Sequence, residues 1–297
     1  MNPVEFNDIH RAYERGVNVL DGVSFSIGAG QVVGLVGKNG TGKTTLIRIA
    51  MGMLAALRGT VRLFGMDPRR RPLEVKRRVG HVSEDQVLPP FLRVDEVIEL
   101  HRGLFPTWDD AMTRQLVERF ELPLHARIKT LSKGQARQVA LLCAICHRPE
   151  LLILDEPAGG LDPATRREFL ETSIRLLNET GSTILFSSHY MTDVERLADR
   201  IVMLHDGKVL IDSQLDDLHE QYALALVPHD CGVTREQLLT TDTCVAVRER
   251  SDAQHAIFRL EPGAAATLLE RQLGVAGARC ASLPLEELFI ELAGGQS

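Results

Sequence analysis

Gly37-Lys38-Asn39-Gly40-Thr41-Gly42-Lys43-Thr44 is the stretch on which the reading of this chain turns. Its spacing, G-x-x-x-x-G-K-[ST], is that of a loop whose backbone wraps phosphate groups. The glycines let the chain turn tightly, so that several N–H groups point at one anion. Gln31–Val36 before it is dominated by an apolar run suited to a strand buried on both faces of a parallel sheet. Thr44–Leu54 after it has helical spacing, which would aim the positive end of a helix dipole at the phosphates. Residues Gly37 to Thr45 are thus expected to line a nucleotide. Lys43 would reach its β- and γ-phosphates, and the Thr44 hydroxyl would coordinate magnesium.

A second apolar strand, Leu151–Leu154, delivers two adjacent carboxylates, Asp155 and Glu156. Ligands of open α/β sheets bind at the carboxyl ends of strands, which is where this pair falls. Asp155 is expected to hold magnesium and Glu156 to polarise the attacking water. An Asp-Glu pair can instead begin a loop or cap a helix, but the phosphate loop upstream calls for such a partner. Leu131-Ser132-Lys133-Gly134-Gln135 lies ahead of this strand and opens a helical run. Taken alone it reads as a serine-capped helix start.

Working outward, strand-like and helical segments alternate, which indicates an α/β domain running to about residue 218. Gly59–Phe64, Val79–Ser83 and Thr183–Ser187 read as further strands. The region from about Arg93 to Phe120 is helix-rich, broken at Pro106. Thr165–Glu179 reads as a helix. Ile201–Leu204 and Lys208–Asp212 read as a hairpin turning at Asp206-Gly207. Beyond residue 218 the segments Tyr222–Val227, Thr243–Arg250 and Ala256–Leu260 resemble short strands, with helices over Gly263–Leu273 and Leu285–Leu292. Residues 219–297 are therefore read as a small α+β appendage.

Composition narrows the partners. The chain has 297 residues, 44% hydrophobic and 25% charged, with a formal net charge of -6. That acidity argues against binding nucleic-acid phosphates as the main task. Arg69-Arg70-Arg71 with Lys76-Arg77-Arg78 is a local basic cluster, best read as a solvated loop and helix face. No apolar run reaches the roughly 18 residues of a membrane span, and the first residues lack a signal-peptide pattern. The expectation is a cytoplasmic protein with no direct membrane insertion. Five cysteines, an odd and scattered count, do not suggest a disulfide framework. Cys143-x-x-Cys146 followed by His147 lacks a second ligand cluster and sits in a helical run, so it is read as core packing rather than as zinc or redox chemistry.

The three motifs, in this order, resemble the nucleotide-binding subunits of ABC ATPases over about residues 3–218. The family signature is usually written L-S-G-G-Q, and here Lys133 stands in place of its first glycine. The resemblance implies a P-loop fold of the ABC ATPase type, with a helical subdomain over about residues 85–150. It also implies ATP and Mg2+ as ligands. Tyr13 would stack on adenine, where the plain alternative is ordinary packing. Gly160-Leu161-Asp162 matches the D-loop that crosses a dimer interface. His189, in Ser187-Ser188-His189, matches the switch histidine at the γ-phosphate. The family's magnesium-binding glutamine falls on Glu84, with Gln86 as the runner-up.

Such motors work as head-to-tail dimers, homomeric or heteromeric, in which Ser132, Lys133, Gly134 and Gln135 close over the partner's ATP. They also dock a multi-span permease, through the segment that here runs from about Asp85 to Trp108, and so lie on the inner face of the cell membrane. Phe105-Pro106-Thr107-Trp108-Asp109 and the tail Leu283-Pro284-Leu285-Glu286-Glu287-Leu288-Phe289 resemble motors of bacterial drug or antibiotic exporters. The alternative, a soluble ABC ATPase acting on nucleic acid or ribosomes, is disfavoured by the single nucleotide domain and the acidic charge. A non-catalytic half of a heterodimer is disfavoured because Lys43, Asp155, Glu156 and His189 are all present.

Overall fold

The computed structural model describes residues 2–13, 16–84, 88–159, 161, 163–178, 181–275 and 277–294. It divides into two compact units, Met1–Asp212 and Ser213–Ser297.

The first unit opens with β1 (Val4–Ala12) and β2 (Asn18–Ile27), then β3 (Val32–Val36), α1 (Lys43–Ala50) and β4 (Arg58–Leu63). α2 (Pro72–Arg78), β5 (Val79–Val82), α3 (Val94–Leu104), α4 (Asp110–Arg119) and α5 (Lys133–Ile145) follow. Next come β6 (Leu151–Leu154), α6 (Pro163–Asn178), β7 (Thr183–Ser188), α7 (Met191–Leu197), β8 (Arg200–His205) and β9 (Lys208–Gln214).

Six of these strands form one sheet in the order β5-β6-β7-β3-β8-β9. The pairs from β5 through β8 are parallel. β3, β6 and β7 are buried at every position, as strands covered on both faces must be. β9 returns from β8 through Asp206-Gly207, both at positive φ (46° and 75°), the conformation a type I′ turn requires.

β1, β2 and β4 make a separate antiparallel sheet, in the order β2-β1-β4. Gly59–Phe64 is thus a strand as expected, but of this sheet and not of the parallel one. β1 pairs with both neighbours around a break in register after Phe6 and Asn7, centred on Asp8 at φ 51°. Gly59 faces this bulge at φ 89°, and a Cβ there would lie 2.1 Å from the Asp8 carbonyl oxygen. Only glycine fits. Apolar residues from this sheet, from α1 and from one face of β3, β6 and β7 merge into one core that includes Phe6, Leu20, Leu46, Ile47 and Leu185.

Between β5 and β6 the chain is mostly helical. α4 begins at an Asp109 cap, whose carboxylate accepts the Met112 N–H at 2.9 Å. The break at Pro106 lies in a connection that docks on the end of α5. There Phe105 stacks on His147 at 4.0 Å, and the Thr107 hydroxyl donates to the His147 carbonyl. Cys143 and Cys146 are both buried. Burial pushes their thiols up, Cys146 to about 12, which keeps them protonated and unsuited to metal or redox work. Within the basic cluster, Arg70 pairs with Asp67, Arg71 with Glu74 and Arg78 with Glu150.

The second unit contains α8 (Leu215–Gln221), β10 (Ala223–Val227), α9 (Arg235–Leu239), β11 (Cys244–Glu249), β12 (Gln254–Phe258), α10 (Pro262–Leu273), β13 (Arg279–Ser282) and α11 (Leu285–Gly294). Its sheet is antiparallel in the order β11-β12-β10-β13. From β10 to β13 the chain runs β-α-β-β-α-β, so this unit is a split βαβ sandwich of the ferredoxin-like kind. Ala223, Ala225, Val227, Phe258, Ala265 and Leu269 belong to its core.

Candidate functional site

Four adjacent parallel strands deliver chemistry at the same end of the sheet. β3 ends in the phosphate loop, β7 leads into His189, β6 into Asp155-Glu156, and β5 into Glu84. Their registers align these ends: Val36 pairs with Ser188, Phe186 with Leu154, and Leu154 with Val82. A cavity of about 380 Å3 opens there. It is lined by Asn39, Gly40, Gly42, Lys43, Thr44 and Thr45, together with Tyr13, Val19, Glu84, Glu156 and His189.

Gly42 sits at φ 103°, and a Cβ on it would meet Leu20 Cδ2 at 2.6 Å and the Val19 carbonyl oxygen at 2.8 Å. This close approach over β2 lets the loop wind inward. The Lys43 ammonium is buried and donates to the carbonyls of Gly37 (2.7 Å) and Lys38 (3.3 Å). The loop thereby presents a fixed positive charge, with α1 starting at Lys43 behind it. Thr41 Oγ1 donates to the Lys38 carbonyl and braces the turn.

Beneath the loop, Thr44 Oγ1 donates at 3.1 Å to Oδ1 of Asp155, which is buried and outside the cavity's described lining, and Ser187 Oγ donates to the same oxygen at 2.8 Å. Burial pushes the Asp155 carboxyl up, while those two hydrogen bonds pull it down. Glu156 Oε2 lies 2.9 Å from His189 Nδ1. Its Oε1 lies 3.3 Å from Lys43 Nζ, an ion-pair contact without hydrogen-bond alignment. Glu156 also has φ 44°, unusual for a residue with a side chain. That conformation costs of order 1–3 kcal/mol and persists only where neighbours over-determine it. Here its N–H donates to Ser187 Oγ, and its carbonyl accepts from Gly159 N–H and from Arg137. Strain of this kind gathers where a side chain must be aimed.

Tyr13 is about half exposed at the rim of the cavity, with its hydroxyl 3.2 Å from Thr45 Oγ1. Glu84 is exposed and lines the same cavity. Gln86 and Asp162 lie outside the described residues. Ser132 is the N-cap of α5: its hydroxyl accepts the Gln135 N–H, and the Gln135 side chain accepts the Ser132 N–H, each at 3.1 Å. Lys133 is exposed and Gly134 half-buried. Among the described lining residues of the cavity, none comes from 131–135. Sequence reasoning missed the supporting pair Ser187 and Arg137; the serine was visible beside His189, but its role needs the β6–β7 pairing.

Residues 20–159 match the family model described as "ABC transporter". The daunorubicin/doxorubicin resistance ATP-binding protein DrrA of Streptomyces peucetius is 30% identical, across 98% of this chain and 92% of its own. The chain belongs to the ABC transporter ATP-binding family. The Nod factor export ATP-binding protein I of Paraburkholderia xenovorans is 36% identical over 70% of each chain. A solved ATP-binding subunit of an ABC transporter superposes with a TM-score of 0.69 at 26% identity, covering 97% of this chain and 98% of the other. The protein is therefore an ATP-binding, ATP-hydrolysing subunit of an ABC transporter. Among the described residues, no helix is long and apolar enough to cross a membrane.

Proposed function

We propose that the chain is the motor of an exporter, acting as a head-to-tail dimer whose two nucleotide sites are each completed by the partner's Ser132–Gln135. The observation that carries this reading is the separation of the machinery. The phosphate loop, Glu84, Glu156 and His189 share one cavity, while the capped start of α5 is absent from its described lining. A helix start with exposed Ser132 and Lys133 offers N–H donors to a phosphate brought by another subunit. ATP then bridges the two copies, and loss of its γ-phosphate releases them.

Within each site, Lys43 holds the terminal phosphates, Tyr13 stacks on the base, and Gly37 to Thr45 wrap the phosphate chain. Glu156 polarises the attacking water, and His189 orients Glu156 and meets the γ-phosphate. The Thr44 hydroxyl and Asp155 carboxylate form a hard-oxygen pair that fits Mg2+, which takes few protein ligands and keeps water and phosphate oxygens. Glu84 is the third oxygen donor in this reading. When bound, the ion would offset phosphate charge. The export direction is supported by the likeness to the resistance and export proteins above. A multi-span permease partner in the cell membrane follows from the same reading, and the small C-terminal domain expected over residues 219–297 is supported by the compact unit Ser213–Ser297.

The test is the oligomeric state of Glu156→Gln. With ATP it should run as a dimer, and adding Ser132→Arg should restore the monomer without weakening ATP binding to the single chain. Glu156→Gln remaining monomeric at saturating ATP, or dimerising equally well with Ser132→Arg, would overturn the in-trans arrangement. Capture of the chain from detergent-solubilised native membranes should recover a multi-span protein in near-equal amount.

A further inference from the structure

Beside the nucleotide cavity lies a set of side chains that the reading above leaves unused. Tyr190 follows His189 directly, and the two rings lie 4.0 Å apart at 39°. The Arg166 guanidinium sits over the Tyr190 ring at 3.7 Å. Arg166 belongs to α6 and is itself held by Asp193 of α7, 3.0 Å away, with both side chains only 14% exposed. The Tyr190 N–H donates to Ser188 Oγ at 3.0 Å, which pins the backbone at the start of α7.

We propose that Tyr190, clamped by Arg166, is a positioning residue that holds the His189 imidazole against Glu156. The proposal rests on the reading that Glu156 and His189 act in hydrolysis. A third of the His189 side chain is open to solvent. Its hydrogen bond to Glu156 fixes Nδ1 but not rotation of the ring about that contact. A neighbouring ring at 4.0 Å restricts that rotation, and tilted or offset aromatic pairs of this kind are mutually attractive.

Tyr190 needs support to serve this way, because 39% of it is exposed. The cation over its face supplies that support, and partial burial of Arg166 strengthens the attraction. The Asp193 pairing fixes the cation in turn. Arg166 thereby connects α6, which starts directly after the 160–162 segment, with the histidine at the nucleotide. Ordinary packing does not account for the arrangement: an exposed tyrosine adds little to the core, and a guanidinium this buried calls for compensating contacts.

The experiment is steady-state ATP hydrolysis by the full chain carrying Tyr190→Leu, Tyr190→Phe, Arg166→Lys or His189→Ala. Tyr190→Leu should lower kcat about tenfold while KM for ATP stays within about twofold, because the loss is in the reacting geometry rather than in binding. Tyr190→Phe should restore wild-type kcat, since the ring and not the hydroxyl makes both contacts. Arg166→Lys keeps the charge for Asp193 but loses the planar stack. Its effect should lie in the same direction and should not add to that of Tyr190→Leu. Unchanged kcat in Tyr190→Leu, or equal losses in Tyr190→Leu and Tyr190→Phe, would overturn the positioning role if His189→Ala is inactive. Retained turnover in His189→Ala would instead overturn the catalytic reading of the histidine, and the positioning role with it.

Discussion

Thr44 and Asp155 are joined by a hydrogen bond of 3.1 Å that links the end of the phosphate loop to the carboxylate strand. Asp155 is only 2% exposed. Burial is the main influence on its carboxyl and raises its pKa, with neighbouring Glu156 adding to the shift. A carboxyl whose folded pKa lies above its unfolded value holds its proton more tightly when folded. Ionised at neutral pH, it therefore works against the fold, and this loss sets in as pH rises from the unfolded toward the folded pKa.

Asp155→Asn keeps an acceptor for Thr44 and Ser187 and removes the charge. Its Tm at pH 7 should exceed that of the wild type, with the gap narrowing as pH falls toward 4. Its ATP turnover at limiting magnesium should drop by on the order of 100-fold. A lower Tm in the variant would show that the carboxylate stabilises the fold.

Glu156 touches Lys43 with one oxygen and His189 with the other. Glu156→Gln preserves shape and one acceptor but cannot take a proton from water, so kcat should fall at least about 100-fold with ATP affinity intact. Steady-state turnover beside equilibrium binding of labelled ATP separates the two quantities. Retention of most of the turnover would exclude Glu156 as the principal group acting on the water.

The grouping of the candidate site at one end of the sheet is more legible in the sequence than the strands at its margins. Lys43, Thr44, Asp155 and Glu156 announce themselves because phosphate chemistry demands those residue types at the ends of apolar runs. Their convergence then follows from the parallel register. β1 carries a weak strand signal in the sequence, because the bulge at Asp8 breaks the two-residue alternation on which such a reading depends. β13 was missed for a different reason: Arg279-Cys280-Ala281-Ser282 is a short edge strand, largely solvent-facing, and carries no apolar pattern. The φ of Glu156 and the bracing by Arg137 have no local sequence signal at all, since both depend on residues brought together by β6 and β7.

Within the second unit, Arg248 of β11 pairs with Glu287 at 2.7 Å and also with Glu291, both on α11. All three side chains are about a quarter exposed or less. One guanidinium thus holds two successive turns of a helix against a strand, and removing it leaves Glu287 to the longer Arg250 contact at 4.0 Å and takes from Glu291 its Arg248 pairing. Arg248→Ala should speed amide hydrogen exchange over 285–294 by about tenfold, while exchange in β3 and β6 stays unchanged. Equal protection of α11 in variant and wild type would show that its apolar residues alone hold it.

His147 is 2% exposed and stacked on Phe105. Burial lowers its pKa from 6.5 to about 4. His81, on β5, is lowered to about 4 by burial and by the nearby Lys76 charge. In both cases the unfolded chain takes up a proton before the folded one does. Their contribution to stability is therefore complete above pH 6.5 and is lost as pH falls from there toward about 4. Carboxyls such as Asp109, lowered chiefly by the Met112 N–H and then by Arg148, act in a separate window below their unfolded value of 3.8. A loss of stability between pH 7 and pH 5 thus reports on the histidines. For His147 it amounts to ~2 kcal/mol. His147→Leu, which stays neutral and close in volume, should flatten the fall in Tm over that range without altering the steeper loss below pH 4. Parallel Tm curves for variant and wild type from pH 7 to pH 5 would mean that the ring titrates alike in the folded and unfolded chain.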